Sequence, residues 1–592
     1  MRPIETAAVI STVVCALALV FTAAHDASPH PAHPPNHPFH GTADAPAMAM
    51  AGLRESSSSD AAAFSSSSAS DALRDREYTF HLENAASPTP PVAYLILGAV
   101  PLLLALVHVA VERPRWQLAP LYFADILLLL AAAIPPVGVV STSAIVLVIV
   151  FAAISAILGI MFAVTTFPIP SGPFDVATQS LDWPTQTTTV HLNAKLPQPT
   201  YPADVAGPPN VSAESTPFCV QVFYPMRLKE SAARSGGADA DLVKRSPASY
   251  LVHGGESARA YASFIGIPAA AHFLVSHLSL IKMNATENGP IARNAQFPVA
   301  IFCHGLGGSR TANAIICKEL ASFGFVVLCP EFHDGSASYT VLPDGREIRY
   351  QRPSRSDDEW LYSFRHRQLR HRTTQVLRLL AGLDELNDRG VGSITSFKGK
   401  LDPSRVLLIG HSFGAATAIY AAMQGDRRVR AVVAYDAWMF PIGPNVARHP
   451  IPNFPPILSI DTELFDESRK LMHVLLEQVR TAAPETTPTG LWLKVRDTGH
   501  QNFTEFPFFF PQVLRRMGKS GKMDPAAAMA LINALTLRFI GRYFGSVGQF
   551  IPEIARARQA GTVLEQALVA ADIIAVADAE HVTTIEITRQ ST

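Results

Sequence analysis

Cysteine is scarce in this sequence, and neither sign of charge is in excess. The chain has 592 residues with five cysteines, and 48 lysines and arginines face 49 aspartates and glutamates. The cysteines are odd in number and lack paired or metal-ligand spacing. This argues against a disulfide framework and against a metal site, so buried free thiols are predicted. The balanced charge gives no reason to expect nucleic acid as a partner.

Long apolar runs are abundant by contrast, and the mean hydropathy of +0.18 is high for a soluble protein. Four such runs cover residues 7–24, 92–111, 118–134 and 139–164. The first run ends in Thr22-Ala23-Ala24, so residues 1–24 are predicted to be a signal peptide or an uncleaved signal anchor, with cleavage favoured. The other three predict transmembrane helices within residues 92–165, because a buried helical hairpin rarely carries so few charges. A multi-pass membrane protein is therefore expected.

The segments between and after these runs bear on two questions: which residues are disordered, and on which side of the membrane the rest of the chain lies. Residues 25–91 are rich in Ser, Ala, Pro and His, and they have too little apolar surface to fold, so disorder is predicted. The positive-inside rule places Arg113 and Arg115 in the cytoplasm, and three crossings would bring the chain after residue 164 there as well. Two glycosylation sequons, at Asn210 and Asn284, would matter only in a lumen. The sequence leaves the sidedness open.

After Phe167 the pattern changes to short β-branched runs that alternate with helical patterns. The segments VAIFCHG, FVVLCPE, VLLIGHS, AVVAYDA, ILSIDTE and LWLKVRD are typical of buried parallel strands. Helical patterns lie between most of them, which predicts an α/β sheet covered on both faces. Ligands bind such sheets at the carboxyl ends of the strands. The polar residues at or just beyond those ends are His304, Glu331, Ser412, Asp436, Asp461 and His500.

Ser412 lies in the motif Gly410-His411-Ser412-Phe413-Gly414, directly after one of these strands and before an Ala-rich helical pattern. This arrangement matches the nucleophile elbow, in which a sharp turn between strand and helix exposes a serine. A serine hydroxyl attacks an ester only when a base accepts its proton and amides stabilise the oxyanion. The amide of Phe413 and one from the glycine-rich loop 304–308 are the expected donors.

An elbow serine also requires an acid and a histidine that follow it in the chain. His500 lies just beyond the last predicted strand and is the expected base. Three aspartates are candidates for the acid: Asp436, Asp461 and Asp497. Strand counting favours Asp461, and the residue pattern alone does not decide between them.

Several segments together resemble a known family: FPVAIFCHGLGGSRTANAIICKELASFGFVVLCPEFHDGSAS, GHSFGAAT, YDAWMFP and GHQNFTEF. They resemble the platelet-activating factor acetylhydrolases, the calcium-independent group VII phospholipases A2, over about two thirds of the chain. The resemblance implies an α/β-hydrolase fold for residues 166–548, preceded by the transmembrane helical region. It implies Ser412 as nucleophile, His500 as base and Asp436 as acid, with Leu306 and Phe413 as the oxyanion-hole amides. It also implies that no cofactor and no metal are needed.

The resemblance implies hydrolysis of the sn-2 acetyl or short, oxidised acyl ester of platelet-activating factor-like phospholipids, with the phospholipid substrate and the membrane as partners. Ala415 stands where the family usually has glycine, and the predicted membrane region is absent from the secreted animal enzymes. A carboxylesterase or thioesterase of the same fold remains an alternative, as does a non-catalytic membrane lipid-binding protein. Transfer of the acyl group to an acceptor other than water also remains open.

Two clusters could serve lipid binding. Phenylalanines follow His500 at 503, 506, 508, 509 and 510, and they either line an acyl site or, more simply, pack in the core. Basic residues at 365–367 and 370–372 either attract anionic head groups or form a solvated helix face, which is the more common arrangement. The tail 549–592 is expected to hold an Ala-rich helix and a short β-like end.

Overall fold

The chain forms two compact units, which we call the helical unit (residues 1–158) and the sheet unit (residues 159–592). Most of the predicted segment 25–91 and all of the tail 549–592 except residues 582–584 lie outside the described residues. The computed structural model describes residues 3–26, 92–112, 114–133, 142–184, 190–194, 196–197, 201, 205, 211–229, 247–293, 295–390, 396–443, 449, 451, 453–481, 490–544 and 582–584.

Within the described residues, the helical unit has four apolar helices, which coincide with the four apolar runs of the sequence. They are α1 (Pro3–Asp26), α2 (Val92–Glu112), α3 (Ala119–Ala133) and α4 (Thr142–Met161), with a 3₁₀ turn at Trp116–Leu118. Among the described residues, three stretches are long and apolar enough to cross a membrane by length and composition: Leu95–Glu112, Trp116–Ala133 and Ala144–Met161.

Helix α1 packs against the other helices of its unit through small residues. Ala8, Cys15 and Ala16 are buried in apolar clusters with residues of α3 and α4. The side chain of Thr12 donates a hydrogen bond to Asp125 of α3, with 2.6 Å between Oγ1 and Oδ1, and both residues are fully buried. Asp125 thereby has a hydroxyl partner inside an apolar bundle, where an unpaired polar group is costly.

The sheet unit is built on a mixed sheet that, within the described residues, has eleven strands in the order β13-β12-β11-β10-β9-β5-β6-β2-β1-β4-β3. The strands are β1 (Phe174–Trp183), β2 (Phe218–Leu228), β3 (Pro247–Ser249), β4 (Lys282–Glu287), β5 (Phe297–Cys303), β6 (Val326–Pro330), β9 (Leu401–His411), β10 (Val429–Tyr435), β11 (Ile457–Thr462), β12 (Gly490–Val495) and β13 (Val582–Thr584), while β7 (Tyr339–Val341) and β8 (Glu347–Arg349) form a separate hairpin.

The six predicted strands form the parallel centre of this sheet, from β6 through β5, β9, β10 and β11 to β12. Their apolar runs are buried on both faces; Val406 to Ile409 of β9, for example, are fully buried. Burial of each such aliphatic side chain contributes ~1.5–3 kcal/mol, so continuous apolar composition is what this position requires. The β-like end predicted for the tail corresponds to β13, which pairs antiparallel with β12.

Helices cover both faces of the sheet, as the alternating pattern predicted. They are α5 (Gly255–Phe264), α6 (Ala314–Ser322), α7 (Asp358–Asp388), α8 (Phe413–Ala422), α9 (Arg469–Thr481), α10 (Phe506–Phe509), α11 (Pro511–Arg516) and α12 (Pro525–Phe544), with 3₁₀ segments at Ala269–Leu280 and His500–Phe503. The longest, α7, begins where Asp357 accepts a hydrogen bond from the amide of Trp360, and Asp358 and Glu359 in its first turn suit the helix dipole.

The segment that follows α4 is part of the sheet unit. Phe167 is buried, and its ring packs against the rings of Tyr250 and Phe509 at centroid distances of 5.1 and 5.9 Å. Side chains of the sheet unit donate hydrogen bonds to successive carbonyls of this segment: Asn284 to Phe167, Lys318 to Pro168 and Lys229 to Pro170. Residues 167–170 are therefore fixed to the sheet unit by both apolar and polar contacts.

Candidate active site

Ser412 lies on the turn between β9 and α8, as the elbow motif predicts. Its backbone has φ 57° and ψ −119°, a conformation that costs a residue with a side chain about 1–3 kcal/mol. The neighbouring glycines are required for space. A Cβ at Gly410 would collide with the carbonyl of Gly414, and a Cβ at Gly414 would collide with the carbonyl of Cys303. The turn therefore holds Ser412 at the carboxyl edge of the parallel strands.

The structure brings His500 and Asp436 to this serine. His500 Nε2 lies 3.1 Å from Ser412 Oγ, and His500 Nδ1 lies 3.0 Å from Asp436 Oδ2. Asp436 is fully buried, Ser412 is 8% exposed, and the His500 side chain is 25% exposed. With Nδ1–H donating to Asp436, Nε2 is free to accept the serine proton.

Asp436 is the aspartate that reaches His500, as the family resemblance implied. It follows β10 with φ 40°, and its carboxylate accepts two further hydrogen bonds, from the amide of Thr462 at 2.7 Å and from the Thr462 hydroxyl at 2.8 Å. Three donors fix both oxygens of the carboxylate. The Asp436 carboxylate is thus oriented by the last residue of β11, the strand next to its own.

Asp461, which strand counting favours, has hydrogen-bond partners other than His500. Its carboxylate accepts hydrogen bonds from Trp492 Nε1 at 2.7 Å and from the Ser459 hydroxyl at 3.3 Å. Burial, with the neighbouring Asp436 charge, raises the pKa of Asp461 to about 7. The third candidate, Asp497, is partly exposed, and its amide donates to Glu463.

The ring of His500 is held by its neighbours as well as by Asp436. The ring of Phe465 stacks on it with centroids 5.1 Å apart and an interplanar angle of 14°. His411, the residue before the serine, donates from Nε2 to the carbonyl of His500 at 3.0 Å. Burial and the nearby His500 lower the pKa of His411 well below its usual value, so it is neutral at pH 7. These contacts fix the position of His500 relative to the elbow.

Leu306 and Phe413 lie on the two segments that meet at Ser412. No hydrogen bond within the described residues uses the amide of Leu306 or that of Phe413. The Leu306 loop is fixed on its far side, because Gly307 N donates to the Ser336 carbonyl at 2.7 Å and Ser338 N donates to the Gly308 carbonyl at 3.0 Å. Both amides are thus available to a ligand oxygen.

The structure corrects the interpretation of the basic residues in α7. Arg365, His366, His371 and Arg372 are buried, so these four neither form a solvated face nor reach a lipid head group, whereas Arg367 and Arg370 are half-buried. Arg372 bonds the carbonyl of His304 at 2.7 Å, directly behind the glycine-rich loop 304–308, which we call the oxyanion loop after its predicted role. Helical spacing of charges gave no sign of this, because the groups that cover them come from loops far away in the sequence.

The phenylalanines after His500 pack in the core, which was the simpler of the two expectations. Phe503 and Phe509 are buried, and Phe506, Phe508 and Phe510 pack partly buried against the same core cluster. The five cysteines are likewise buried free thiols, as predicted.

One group of possible metal ligands occurs among the described residues: His411, Asp436 and His500, whose ligand atoms lie within 4.8 Å of one another. Each of these residues is already engaged, because His411 bonds the His500 carbonyl and His500 bonds Asp436. The arrangement suits proton transfer between serine and histidine better than coordination of an ion.

Residues 258–550 match the family model of platelet-activating factor acetylhydrolase, isoform II. Platelet-activating factor acetylhydrolase from Cavia porcellus is 34% identical over 298 residues, 47% of this chain and 65% of that protein. The Gallus gallus protein of the same name is 28% identical over 282 residues, 44% of this chain and 65% of that protein. A putative phospholipase A2 from Schizosaccharomyces pombe is 26% identical over 185 residues, 25% of this chain and 42% of that protein.

The chain thus spans just under two thirds of the length of the two acetylhydrolases. Among solved structures, a ferulic acid esterase from Streptomyces cinnamoneus has a TM-score of 0.44 and 22% identity, and the match covers 64% of this chain and 93% of that one. A likeness at this level does not bear on function. The matched sequence carries the elbow serine, the DAWMFP aspartate and the HQNF histidine in their expected order. Most of the described sheet unit is thus similar to the platelet-activating factor acetylhydrolase, isoform II, family.

Proposed function

We propose that the chain is a membrane-bound serine hydrolase of α/β-hydrolase fold. Its expected substrate is the sn-2 acetyl or short, oxidised acyl ester of a platelet-activating factor-like glycerophospholipid. The observation that carries this proposal is the hydrogen-bonded series Ser412, His500 and Asp436 at 3.1 and 3.0 Å. The named relatives support a phospholipid ester as the substrate class.

The geometry suits a two-step acyl transfer. Ser412 Oγ attacks the sn-2 carbonyl carbon while His500 Nε2 takes the hydroxyl proton, and Asp436 stabilises the imidazolium that forms. The amides of Leu306 and Phe413 donate to the oxyanion of the tetrahedral intermediate. The C–O bond to glycerol then breaks, and His500 returns the proton to the departing lysophospholipid oxygen. Water, deprotonated by His500, releases the short carboxylic acid from Ser412.

We also propose that α1 is retained as a fourth membrane helix. Removal of residues 1–24 would take away Thr12, which donates the hydrogen bond to Asp125 Oδ1. Asp125 would then face apolar surroundings without this partner, at a cost of about 0.6–1.7 kcal/mol. The small buried face of α1, with Ala8, Cys15 and Ala16, would leave a gap in the bundle as well. A signal peptide awaiting cleavage has no need of such contacts.

The retention of α1 has a direct test. Full-length protein with an epitope tag before Met1 should keep the tag at full mass in membrane fractions. The chain should remain in the pellet after alkaline carbonate or high-salt washing, since hydrocarbon burial is not screened by salt. Loss of the tag together with about 24 residues would show that α1 is a signal peptide, and protein in the wash supernatant would contradict membrane anchoring altogether.

The hydrolase proposal is tested with Ser412→Ala. Turnover of a phosphatidylcholine with an sn-2 acetyl group should fall to the residual level that oxyanion stabilisation alone provides, ~10³–10⁴-fold over water. Labelling by a fluorophosphonate probe should vanish with it. Ser404→Ala, an exposed serine on the same strand, is the matched control and should keep both.

A panel of sn-2 acyl lengths and simple esters separates the substrate classes. We expect the highest kcat/KM for phospholipids with an acetyl, short or oxidised sn-2 acyl group. We also expect this activity to survive excess EDTA. Equal or better turnover of simple esters or thioesters would favour a general esterase. Unchanged probe labelling in Ser412→Ala would overturn the serine mechanism, and absence of any esterase activity would favour a binding protein.

A further inference from the structure

Arg372 lies fully buried behind the elbow, and its role is not explained by the catalytic residues themselves. Its guanidinium donates from Nη1 to the carbonyl of His304 at 2.7 Å and from Nε to the hydroxyl of Ser336 at 2.8 Å. Asp334, also fully buried, lies 3.4 Å from the same Nε and balances the charge. Burial of a guanidinium costs desolvation free energy, which these hydrogen bonds and the Asp334 charge offset.

These contacts brace the oxyanion loop on both sides of Leu306. His304, whose carbonyl Arg372 bonds, is two residues before Leu306. Ser336, whose hydroxyl Arg372 bonds, accepts a hydrogen bond at its carbonyl from the amide of Gly307, the residue after Leu306. The direction of the Leu306 amide is set by its flanking peptides. One guanidinium therefore constrains that direction from both ends.

The same group also contacts the second arm of the oxyanion hole. The guanidinium carbon of Arg372 lies 4.5 Å from the ring centroid of Phe413 and 4.2 Å from that of Phe332. The cation is thus sandwiched between two aromatic faces in a site without solvent access, where cation–π attraction is strongest. Phe413 provides the other amide, so Arg372 touches the residues or loops of both donors at once.

We infer that Arg372 is a positioning residue that fixes the two oxyanion-hole amides relative to each other. It contacts neither the substrate nor the serine, and it acts through His304, Ser336 and the Phe413 ring. The inference rests on the proposed serine hydrolase function. Donors must lie 2.7–3.1 Å from the developing oxyanion, and a shift of one amide weakens transition-state binding more than substrate binding.

The test is Arg372→Lys, which keeps a buried cation but cannot bond the His304 carbonyl and the Ser336 hydroxyl in the same fork. We expect kcat to fall about 10- to 100-fold, with KM changed less than about 3-fold, since one lost oxyanion donor costs ~10²–10³ in kcat. The affinity for a trifluoromethyl ketone, which forms an oxyanion on the serine, should fall by the same factor as kcat/KM. If Arg372 served only stability, the folded fraction of the Arg372→Lys protein would keep the kcat/KM and the inhibitor affinity of the wild type.

Arg378 provides a matched control on the same helix. It is also fully buried, bonds the backbone carbonyls of Ala213, Thr216 and Pro184 at 2.7–2.9 Å, and packs on an aromatic ring. Its contacts lie away from the oxyanion loop. Arg378→Lys should lower stability as much as Arg372→Lys does while kcat and inhibitor affinity stay within about 2-fold.

Three outcomes decide the inference. If Arg372→Lys loses no more kcat and inhibitor affinity than Arg378→Lys, the inference is wrong, whereas loss confined to Arg372→Lys supports it. If Arg372→Lys does not fold, Ser336→Ala removes one bond to the guanidinium, together with the bond from the Ser336 hydroxyl to Asp334, and leaves the Arg372–Asp334 charge pair in place. The kcat of Ser336→Ala should fall about 3- to 10-fold, more than that of the control Arg378→Lys, and an unchanged kcat would overturn the inference. A Ser412→Ala protein that still turns over would instead reject the proposed function itself.

Discussion

Asp125 of the helical unit and Asp436 of the sheet unit are both aspartates without solvent exposure, and they are held in different ways. Asp125 has a side-chain hydroxyl as its donor, that of Thr12. Asp436 has three donors, two from Thr462 and one from His500. One bond joins two helices but leaves the carboxylate free to rotate about it. Three bonds fix the plane of the carboxylate, which is what orientation of an imidazole requires.

The comparison teaches that burial alone does not mark a functional acid. A hydrogen-bonded polar pair in an apolar bundle contributes to association of the helices, and this contribution tolerates variation in the distance and angle of the hydrogen bond. A catalytic acid must hold its partner within a few tenths of an ångström through turnover. Three donors therefore accompany the catalytic role proposed for Asp436, whereas Asp125, between two helices, has a single side-chain donor among the described residues.

The largest expected effect is at Asp436. Asp436→Asn keeps the shape of the side chain but favours the wrong tautomer of His500, so kcat should fall at least ~10²-fold and up to ~10⁴-fold with little change in stability. Asp461→Asn should stay within a few-fold of wild type, because a carboxamide oxygen can still accept from Trp492 Nε1.

Steady-state kinetics of both variants on one short-chain ester, with the unfolding midpoint of each, check this prediction. If Asp461→Asn showed the larger loss in kcat, the number of hydrogen-bond donors around a carboxylate would not identify the catalytic acid. A large loss in stability for Asp436→Asn would likewise show that its three bonds serve folding rather than catalysis.

The second effect concerns two histidines of the sheet unit that are buried and in contact. His371 Nε2 lies 2.8 Å from His333 Nδ1, and burial lowers the pKa of each to about 3. The unfolded chain binds protons at these groups below about pH 6.5, whereas the folded chain does not until about pH 3. Their contribution to stability is therefore complete above pH 6.5 and is lost as the pH falls, by about 2 kcal/mol per imidazole at pH 5.

Buried carboxyls oppose this trend, since burial raises the pKa of Glu331 to about 7 and that of Glu505 to about 8. The measurement is accordingly a difference between wild type and the non-titrating double variant His333→Gln/His371→Gln. Urea unfolding of the detergent-solubilised chain, followed by loss of esterase activity, should show a wild-type penalty of about 3 kcal/mol relative to that variant between pH 6.5 and 5, since a small part of the loss is already present at pH 6.5. Parallel pH curves would contradict the assignment of buried neutral imidazoles.

The smallest effect is expected in the helical unit. Thr12→Val removes the donor to Asp125 while keeping the shape of the side chain, and it should destabilise the bundle by about 0.6–1.7 kcal/mol. The kcat should change less than about 2-fold. Thermal aggregation in detergent measures the loss, and Ser11→Ala on the same helix is the control. Equal midpoints for wild type and Thr12→Val would show that the contact does not hold α1 in place.

Much of this architecture could be predicted from the sequence because the parallel strands carry a local signal. The branched apolar runs before His304, Ser412 and Asp436 all form strands, and the glycine-flanked turn at Ser412 has the expected geometry. Strand ends in a parallel sheet meet at one edge, which is why residues far apart in sequence could be expected together. His500 follows the last parallel strand of that edge.

What the sequence could not indicate depends on contacts between distant segments. Asp461 and Asp436 end neighbouring strands, and only the side-chain direction and the Trp492 donor show that Asp461 is turned away from His500. The basic face of α7 is another case, since Asp334 and Ser336, which cover Arg372, lie in a loop more than 30 residues earlier. Sequence patterns describe one element at a time, so they could not choose between the two aspartates and gave no sign that Arg372 is buried.

The fixed segment at residues 167–170 has a consequence for where this chain can be divided or recombined. Helix α4 ends at Met161, but Val164 and Phe167 already belong to the core of the sheet unit, and three side chains of that unit donate hydrogen bonds to the carbonyls of residues 167, 168 and 170. A truncated or chimeric protein that joins the chain at a strand boundary such as Phe174 would lose these hydrogen bonds and expose the surface around Tyr250 and Phe509. The appropriate boundary for domain exchange thus lies at the end of α4, and residues 162–173 should be kept with the sheet unit.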